Sequence, residues 1–144
     1  MSLSTLAMTS TAAAPAVPTV TARRIGLALL GIAVLFLTFD TVIKLMANPM
    51  AIDGTVALGY PATVVRPLGV VCAVLLALLV IPRTAPLGAL LWTGYLGGAI
   101  ATHVRIGNPL FSHVLFPVYV AVLIWGGLYL RDVRVKTLVQ SMLH

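Results

Sequence analysis

Four ionisable side chains lie where they could form one polar site in an otherwise apolar chain: Asp40, Lys44, His103 and Arg105. Asp40 and Lys44 are four residues apart, so in a helix they share a face and can form an ion pair. A carboxylate, an ammonium and an imidazole together suit acid–base or electrostatic chemistry. A structural interpretation stands beside this one, in which the ion pair fixes helix packing and the cationic side chains reach the membrane surface.

A stripe of small residues precedes His103 in the same predicted helix. Its members follow the spacing i, i+3, i+4 and i+7, which places them on one helical face. Small residues on one face let another helix backbone approach closely, within one chain or between subunits of a homo-oligomer. We therefore predict a helix-packing stripe formed by Gly94, Gly97, Gly98 and Ala101.

The composition places the chain in a membrane. Hydrophobic residues make up 60% of its 144 residues, charged residues make up 8%, and the mean hydropathy is +1.10. A soluble domain usually carries roughly 25% charged residues, so this surface could not be hydrated in the ordinary way. Continuous apolar runs without two-residue alternation favour helices over β-barrel strands. The predicted fold is an all-α, antiparallel four-helix bundle in the membrane, with spans near residues 25–45, 63–81, 85–101 or slightly beyond, and 114–130.

Several functional classes are excluded by the residues present. The net charge of +6 comes from single basic residues near span ends, which is typical of membrane anchoring and not of nucleic-acid binding. One cysteine, Cys72, cannot form a dithiol centre or an intrachain disulfide. No motif has the spacing of a metal site or a phosphate-binding loop, and His103 and His113 near one end do not suit bis-histidine haem. We predict no cofactor and no metal.

The distribution of basic residues predicts that both termini are cytoplasmic. Six basic residues fall on the side of the termini and three on the opposite side, which agrees with the positive-inside rule. In this orientation the ionisable side chains of the first three spans converge at the outer end of the bundle. The inner residues are Arg23, Arg24, Arg83, Arg131, Arg134 and Lys136, and the outer residues are Lys44, Arg66 and Arg105.

The two ends of the chain differ from its middle. Residues 1–22 are rich in Ser, Thr, Ala and Pro and contain no sustained apolar run, so we predict a disordered N-terminal tail. A transmembrane domain over residues 23–136 and a short C-terminal tail over residues 137–144 follow. Between the first two spans, the partly apolar segment of residues 51–58 is bounded by Pro49 and Pro61 and predicts a short interfacial element.

Motifs spread over all four predicted spans resemble the DoxX-like family of small membrane proteins. They include Phe39-Asp40 with Lys44, Leu58-Gly59-Tyr60-Pro61, Ile81-Pro82-Arg83-Thr84, Leu87-Gly88-Ala89, Thr93 to Ala99, Ala101-Thr102-His103-Val104-Arg105, Pro117, Trp125-Gly126-Gly127-Leu128 and Leu130-Arg131-Asp132. The resemblance extends from about residue 26 to residue 132. It implies a four-helix protein of the bacterial inner membrane whose broader relatives are associated with quinone-linked sulfur oxidation, a terminal oxidase complex and membrane oxidoreductase assemblies.

Two functional hypotheses remain open. In the first, the protein is an accessory or binding subunit that takes a quinone-like, lipid-soluble molecule or supports a membrane redox partner. In the second, it is a cofactor-free membrane enzyme whose outer polar cluster performs acid–base chemistry on a hydrophobic substrate. The absence of an electron-carrying group favours the first if the role is linked to redox chemistry, while an intramembrane Asp40 keeps the second open.

Overall fold

The computed structural model describes residues 17–142, which are helical throughout their length apart from short turns and contain no β-strand. A 3-10 turn (Ala62–Val64) precedes the third helix, and a π-helical turn (Leu110–Val114) precedes the fifth. The α-helices are α1 (Val20–Leu45), α2 (Pro49–Ala57), α3 (Val65–Val80), α4 (Ala85–Arg105), α5 (Phe116–Arg131) and α6 (Val133–Met142).

Local sequence signals account for the helix boundaries. The Thr19 hydroxyl accepts a hydrogen bond from the Ala22 amide and caps α1, which begins five residues before the predicted span. The Asn48 side chain caps α2, with Pro49 in the first helical position, where its missing N–H costs nothing. α3 ends at Val80 because Ile81 is extended before Pro82, as residues that precede a proline commonly are.

Three helical segments are long and apolar enough to cross a membrane: Val20–Leu45, Ala62–Val80 and Leu110–Arg131. Many large apolar side chains on them point away from the protein, among them Ile32, Leu35 and Val122, which are 57%, 75% and 63% exposed. This arrangement is typical of lipid contact, since a water-soluble protein rarely exposes so much contiguous apolar surface. The chain is therefore an all-α membrane protein. The third predicted span forms a helix, α4, but its glycines, threonines and terminal His103 and Arg105 make it less apolar than the other three.

The long helices pack side by side around one apolar core. α1 contacts both α3 and α5, and α4 contacts the same two helices from the other side. Trp92 of α4 is fully buried at the centre, with Leu37 of α1 and Ile124 of α5 among its companions in the core. Short turns connect α3 to α4 and α5 to α6, and α2 lies between α1 and α3 in the chain.

Three glycines lie at close helix contacts, and none of them belongs to the predicted packing stripe. An added Cβ atom at Gly26 would lie 2.7 Å from the Gly127 carbonyl of α5, and one at Gly69 would lie 2.7 Å from the Leu45 amide of α1. At Gly88 it would lie 2.5 Å from the Leu79 amide of α3. Each of these glycines therefore permits a backbone-to-backbone approach between two helices.

The predicted packing stripe makes no close helix contact at its glycines within the described residues. An added Cβ atom at Gly94, Gly97 or Gly98 would meet no other described residue within 4 Å, and Ala101 is exposed. The spacing of these four residues places them on one helical face. Spacing alone cannot distinguish a face that another helix covers from a face beside open space. A role of the stripe between subunits stays a prediction.

The chain ends were predicted as tails. Residues 1–16, 143 and 144 lie outside the described residues, and the division into tails and a central domain stays a prediction. Within the described part, α6 packs Val135 into the core, and Arg134 donates to the Asp132 carboxylate and to the Pro82 carbonyl. The Arg134 guanidinium lowers the pKa of the Asp132 carboxyl below its ordinary value. These contacts tie α6 to the turn between α3 and α4.

Candidate functional site

A partly open cavity of about 910 Å³ lies at one end of the long helices, next to α2. This volume falls in the range of pockets that hold small-molecule ligands. The C-terminal parts of α1 and α4 and the N-terminal parts of α3 and α5 surround it, and α2 contributes Met50, Ala51 and Gly54. Its apolar lining includes Phe36, Leu37, Leu96, Phe116 and Val120.

An ion pair stands on the α1 wall of this cavity. The Lys44 ammonium lies 2.5 Å from the Asp40 carboxylate, and both side chains are mostly buried, with 16% and 25% exposure respectively. Lys44 also donates to the Tyr95 hydroxyl of α4 at 3.2 Å. Helical i, i+4 spacing brings the pair together, as the sequence predicts, and the bond to Tyr95 joins it to a second helix.

The other two predicted polar residues, His103 and Arg105, lie in different places. His103 lines the cavity with Asp40 and Lys44, and its Nδ1 lies 2.7 Å from the Asn108 amide. Arg105 does not line the cavity. It donates to the Leu58 carbonyl at 2.9 Å and packs beside Gly59, whose φ of +85° requires a residue without a side chain.

Two tethers hold the segment after α2 against α4. Arg105 binds the Leu58 carbonyl, and the Tyr60 hydroxyl lies 3.1 Å from the Thr102 hydroxyl. Thr102 in turn donates to the Gly98 carbonyl within its own helix. Together these bonds position α2 and the following turn as one side of the cavity.

A pair of histidines lines the same cavity. The His103 and His113 rings meet edge to face with 5.7 Å between their centroids, and both line the cavity. The contact of His113 with His103 depends on the π-helical turn before α5, which contains His113. Within residues 17–142, no group of three or more His, Cys, Asp or Glu side chains gathers as a metal site would require.

Two glycines of the predicted stripe form part of the cavity wall. Gly94 and Gly98 line it, and neither position would bring a Cβ atom near another residue. Gly97, one residue earlier than Gly98, does not line the cavity, although all three glycines are exposed. Half of the predicted stripe therefore borders the cavity, and the other half faces outward.

Trp92 and Tyr95 are site residues that the sequence did not single out. Trp92, Tyr95, Ala99 and Thr102 recur at intervals of three or four residues and line the cavity along one face of α4. The rings of Trp92 and Tyr95 meet edge to face at 5.4 Å. The available signal was this periodic set of aromatic and hydroxyl residues, which is equally typical of ordinary core packing.

The comparison with protein families agrees with the motifs and the helical architecture. A model of the DoxX-like family matches residues 28–127, which include most of α1 and α5 and all of the helices between them. The chain belongs to the DoxX-like family. No curated protein and no solved structure gives a significant match. All the cavity-lining residues named above lie within the matched range of this DoxX-like protein.

Proposed function

We propose that the cavity binds a lipid-soluble molecule and that the protein acts as an accessory or binding subunit for such a molecule, quinone-like in character, or for a membrane redox partner. The observation that carries this proposal is a cavity with apolar walls and an ion pair, Asp40–Lys44, held on one side. Charged residues inside a membrane protein are costly and usually face a functional or wet site. An apolar molecule with one polar group would match both parts of the lining.

The architecture that we propose for this role is an antiparallel bundle of four spans in the bacterial inner membrane. α4 would cross as the third of the four spans because it is 21 residues long and packs against both α3 and α5. Both termini would then be cytoplasmic and the cavity would lie near the outer surface. The excess of basic residues on the side of the termini supports this orientation.

Reporter fusions test the orientation directly. Fusions at residues 50 and 110 are both expected to be extracytoplasmic, because α2 and the turn before α5 lie at the cavity end of the helices. A fusion after α6 serves as the control and should report a cytoplasmic location. A cytoplasmic reporter at either residue 50 or residue 110 would contradict the topology.

An acid–base enzyme is the second candidate, and one observation favours it. The Asp40 carboxylate and the His103 imidazole line the same cavity, so both a proton acceptor and a proton donor could face one bound molecule. In that case the hydrophobic substrate would occupy the same space as the ligand of the first proposal. The binding subunit would leave the bound molecule chemically unchanged, whereas the enzyme would convert it into a product.

Purification from native membranes separates the two candidates. We expect the protein to carry a lipid-soluble molecule that stays chemically unchanged during incubation, together with a stoichiometric membrane partner. Mass spectrometry of the extracted molecule and of the copurified chains provides both readouts. An isolated protein that converts its bound molecule into a product, at a rate abolished by Asp40→Asn, would contradict the binding role and support the enzyme.

A further inference from the structure

A second cavity, of about 510 Å³, lies where the start of α1 meets the end of α5. We call it the arginine cavity because Arg23 and Arg131 both line it. Seventeen residues separate Arg23 from Asp40 within α1, which at 1.5 Å per residue corresponds to roughly 25 Å. The arginine cavity is therefore distinct from the cavity of the proposed function, and that function does not use it.

Close packing of α1 against α5 brings the two arginines to this cavity. An added Cβ atom at Gly26 would lie 3.3 Å from the Cβ atom of Arg131, so the backbone of α1 runs beside that residue. Arg23 lies three residues before Gly26 and therefore on the same side of α1, one turn nearer its start. Helix packing thus places both arginines at one junction.

The chain has too few acids to neutralise these arginines. It contains three Asp and Glu residues, of which one belongs to the ion pair of the first cavity and one to α2. The third, Asp132, lines the arginine cavity but already accepts hydrogen bonds from the backbone amide and the guanidinium of Arg134. Arg134, and to a smaller extent Arg131, lower the pKa of the Asp132 carboxyl. Three arginines and one carboxylate therefore meet at this cavity, which leaves an excess of two positive charges.

Neither arginine that lines the cavity is engaged elsewhere. Among residues 17–142, the side chains of Arg23 and Arg131 form no hydrogen bond and no salt bridge. A guanidinium presents a planar fork of N–H donors that matches the oxygens of a phosphate group. The lining therefore favours an anion, and a phosphate group suits its donors.

The surroundings of the cavity favour a phospholipid over a small soluble anion. Arg23 lies in the first turn of the membrane-spanning α1, where lipid headgroups are expected. Leu27 follows one turn deeper, is 46% exposed and also lines the cavity, as do Val17 and Val133. A basic group followed by apolar surface matches a headgroup followed by an acyl chain. Basic pockets between membrane helices are a known way to bind anionic headgroups.

We propose that the arginine cavity binds the phosphate group of an anionic phospholipid between Arg23 and Arg131, with an acyl chain along Leu27. The inference requires only that the protein lies in a membrane. It does not depend on which molecule the first cavity binds, so either proposal can fail without the other.

Native mass spectrometry of the full chain in detergent micelles measures this binding. The probes are dioleoyl phosphatidylglycerol, which carries a net negative charge, and dioleoyl phosphatidylcholine, whose choline cation offsets its phosphate charge. We expect one phosphatidylglycerol molecule to bind in preference to phosphatidylcholine. Arg23→Gln and Arg131→Gln should each weaken its binding by about tenfold, the usual effect of removing a hydrogen bond to a charged group.

Arg24→Gln is the matched control for both variants. It removes the same charge one residue further along α1, but Arg24 does not line the arginine cavity. Phosphatidylglycerol affinity should change by about twofold at most, because salt screens an exposed charge outside the site. Equal weakening by Arg24→Gln and Arg23→Gln would indicate diffuse surface attraction and overturn the proposal. Equal affinity of the original protein for the two lipids would overturn it as well.

A soluble competitor distinguishes a lipid from a free phosphate compound. Glycerol phosphate, the headgroup fragment without acyl chains, should not displace phosphatidylglycerol at equimolar concentration. Displacement would identify a soluble phosphorylated ligand and contradict the lipid assignment.

Lysine variants cover the case in which a glutamine variant does not fold, as judged by circular dichroism. Lysine keeps the positive charge but lacks the planar fork of donors, so Arg23→Lys and Arg131→Lys should weaken lipid binding by a smaller factor. Unchanged affinity in both lysine variants would contradict a phosphate held by the two guanidinium groups.

Discussion

Replacing Gly88 with alanine is expected to destabilise the protein by about 2 kcal/mol or more, the usual cost of forcing atoms into a packed contact. The added methyl group would lie 2.5 Å from the Leu79 amide and 2.7 Å from the Leu78 carbonyl carbon. Both are backbone atoms, so no side-chain rotation relieves the clash and α3 must move away from α4. Unfolding in mixed micelles, followed by circular dichroism, measures the change.

Gly97→Ala is the matched control for this prediction. It makes the same chemical change in the same helix, but the added methyl group would meet no described residue within 4 Å. We expect its stability to stay within about 0.5 kcal/mol of the original, as is typical of surface substitutions. Equal stabilities of the Gly88→Ala and Gly97→Ala variants would show that α3 and α4 do not approach as closely as described.

Replacing Lys44 with methionine should have the second large effect. The substitution leaves the Asp40 carboxylate without its cationic partner in a mostly buried position. Removing one member of a buried ion pair typically costs about 3 kcal/mol or more, because an uncompensated charge stays behind. The same unfolding measurement should therefore show a clear loss for Lys44→Met.

The double variant Asp40→Asn/Lys44→Met separates a structural role of the pair from a functional one. Removing both charges eliminates the unpaired carboxylate, so most of the lost stability should return. Ligand binding should not return if the charges take part in recognition in the cavity. A double variant that regains full stability and also binds the ligand like the original protein would show that the pair is only structural.

The helices could be predicted from the sequence because apolar runs end at prolines and basic residues. α3 ends before Pro82, and α5 begins with Pro117 in its first turn. The third span was predicted to end at residue 101 or slightly beyond, and α4 continues one turn further, to Arg105. Polar residues end the apolar pattern there, but the backbone continues as a helix, in which Thr102 satisfies its hydroxyl by donating to the Gly98 carbonyl.

The candidate site was only partly predictable, and the reasons are physical. The Asp40–Lys44 pair follows from helical spacing within one element, which a sequence shows directly. The bond from Lys44 to the Tyr95 hydroxyl and the bond from Arg105 to the Leu58 carbonyl depend on how separate helices pack. Glycine spacing was ambiguous for the same reason, because a small residue can admit a helix or leave open space.

The cavity itself is the central claim, and a single residue gives direct access to it. Gly98 lines the cavity and Gly97 does not, so we expect leucine at Gly98 to take up cavity space and leucine at Gly97 to leave that space free. If Gly98 belonged to a stripe packed against another helix, Gly98→Leu would separate the two helices and destabilise the protein. The open space around Gly98 predicts instead that stability changes by less than about 1 kcal/mol, since no buried contact is disturbed.

Native mass spectrometry of protein released from its own membrane makes the decisive comparison. We expect the original protein and the Gly97→Leu variant to retain a lipid-soluble molecule of small mass, and the folded Gly98→Leu variant to have lost it. Retention of that molecule by Gly98→Leu at the original occupancy would contradict a binding site in this cavity.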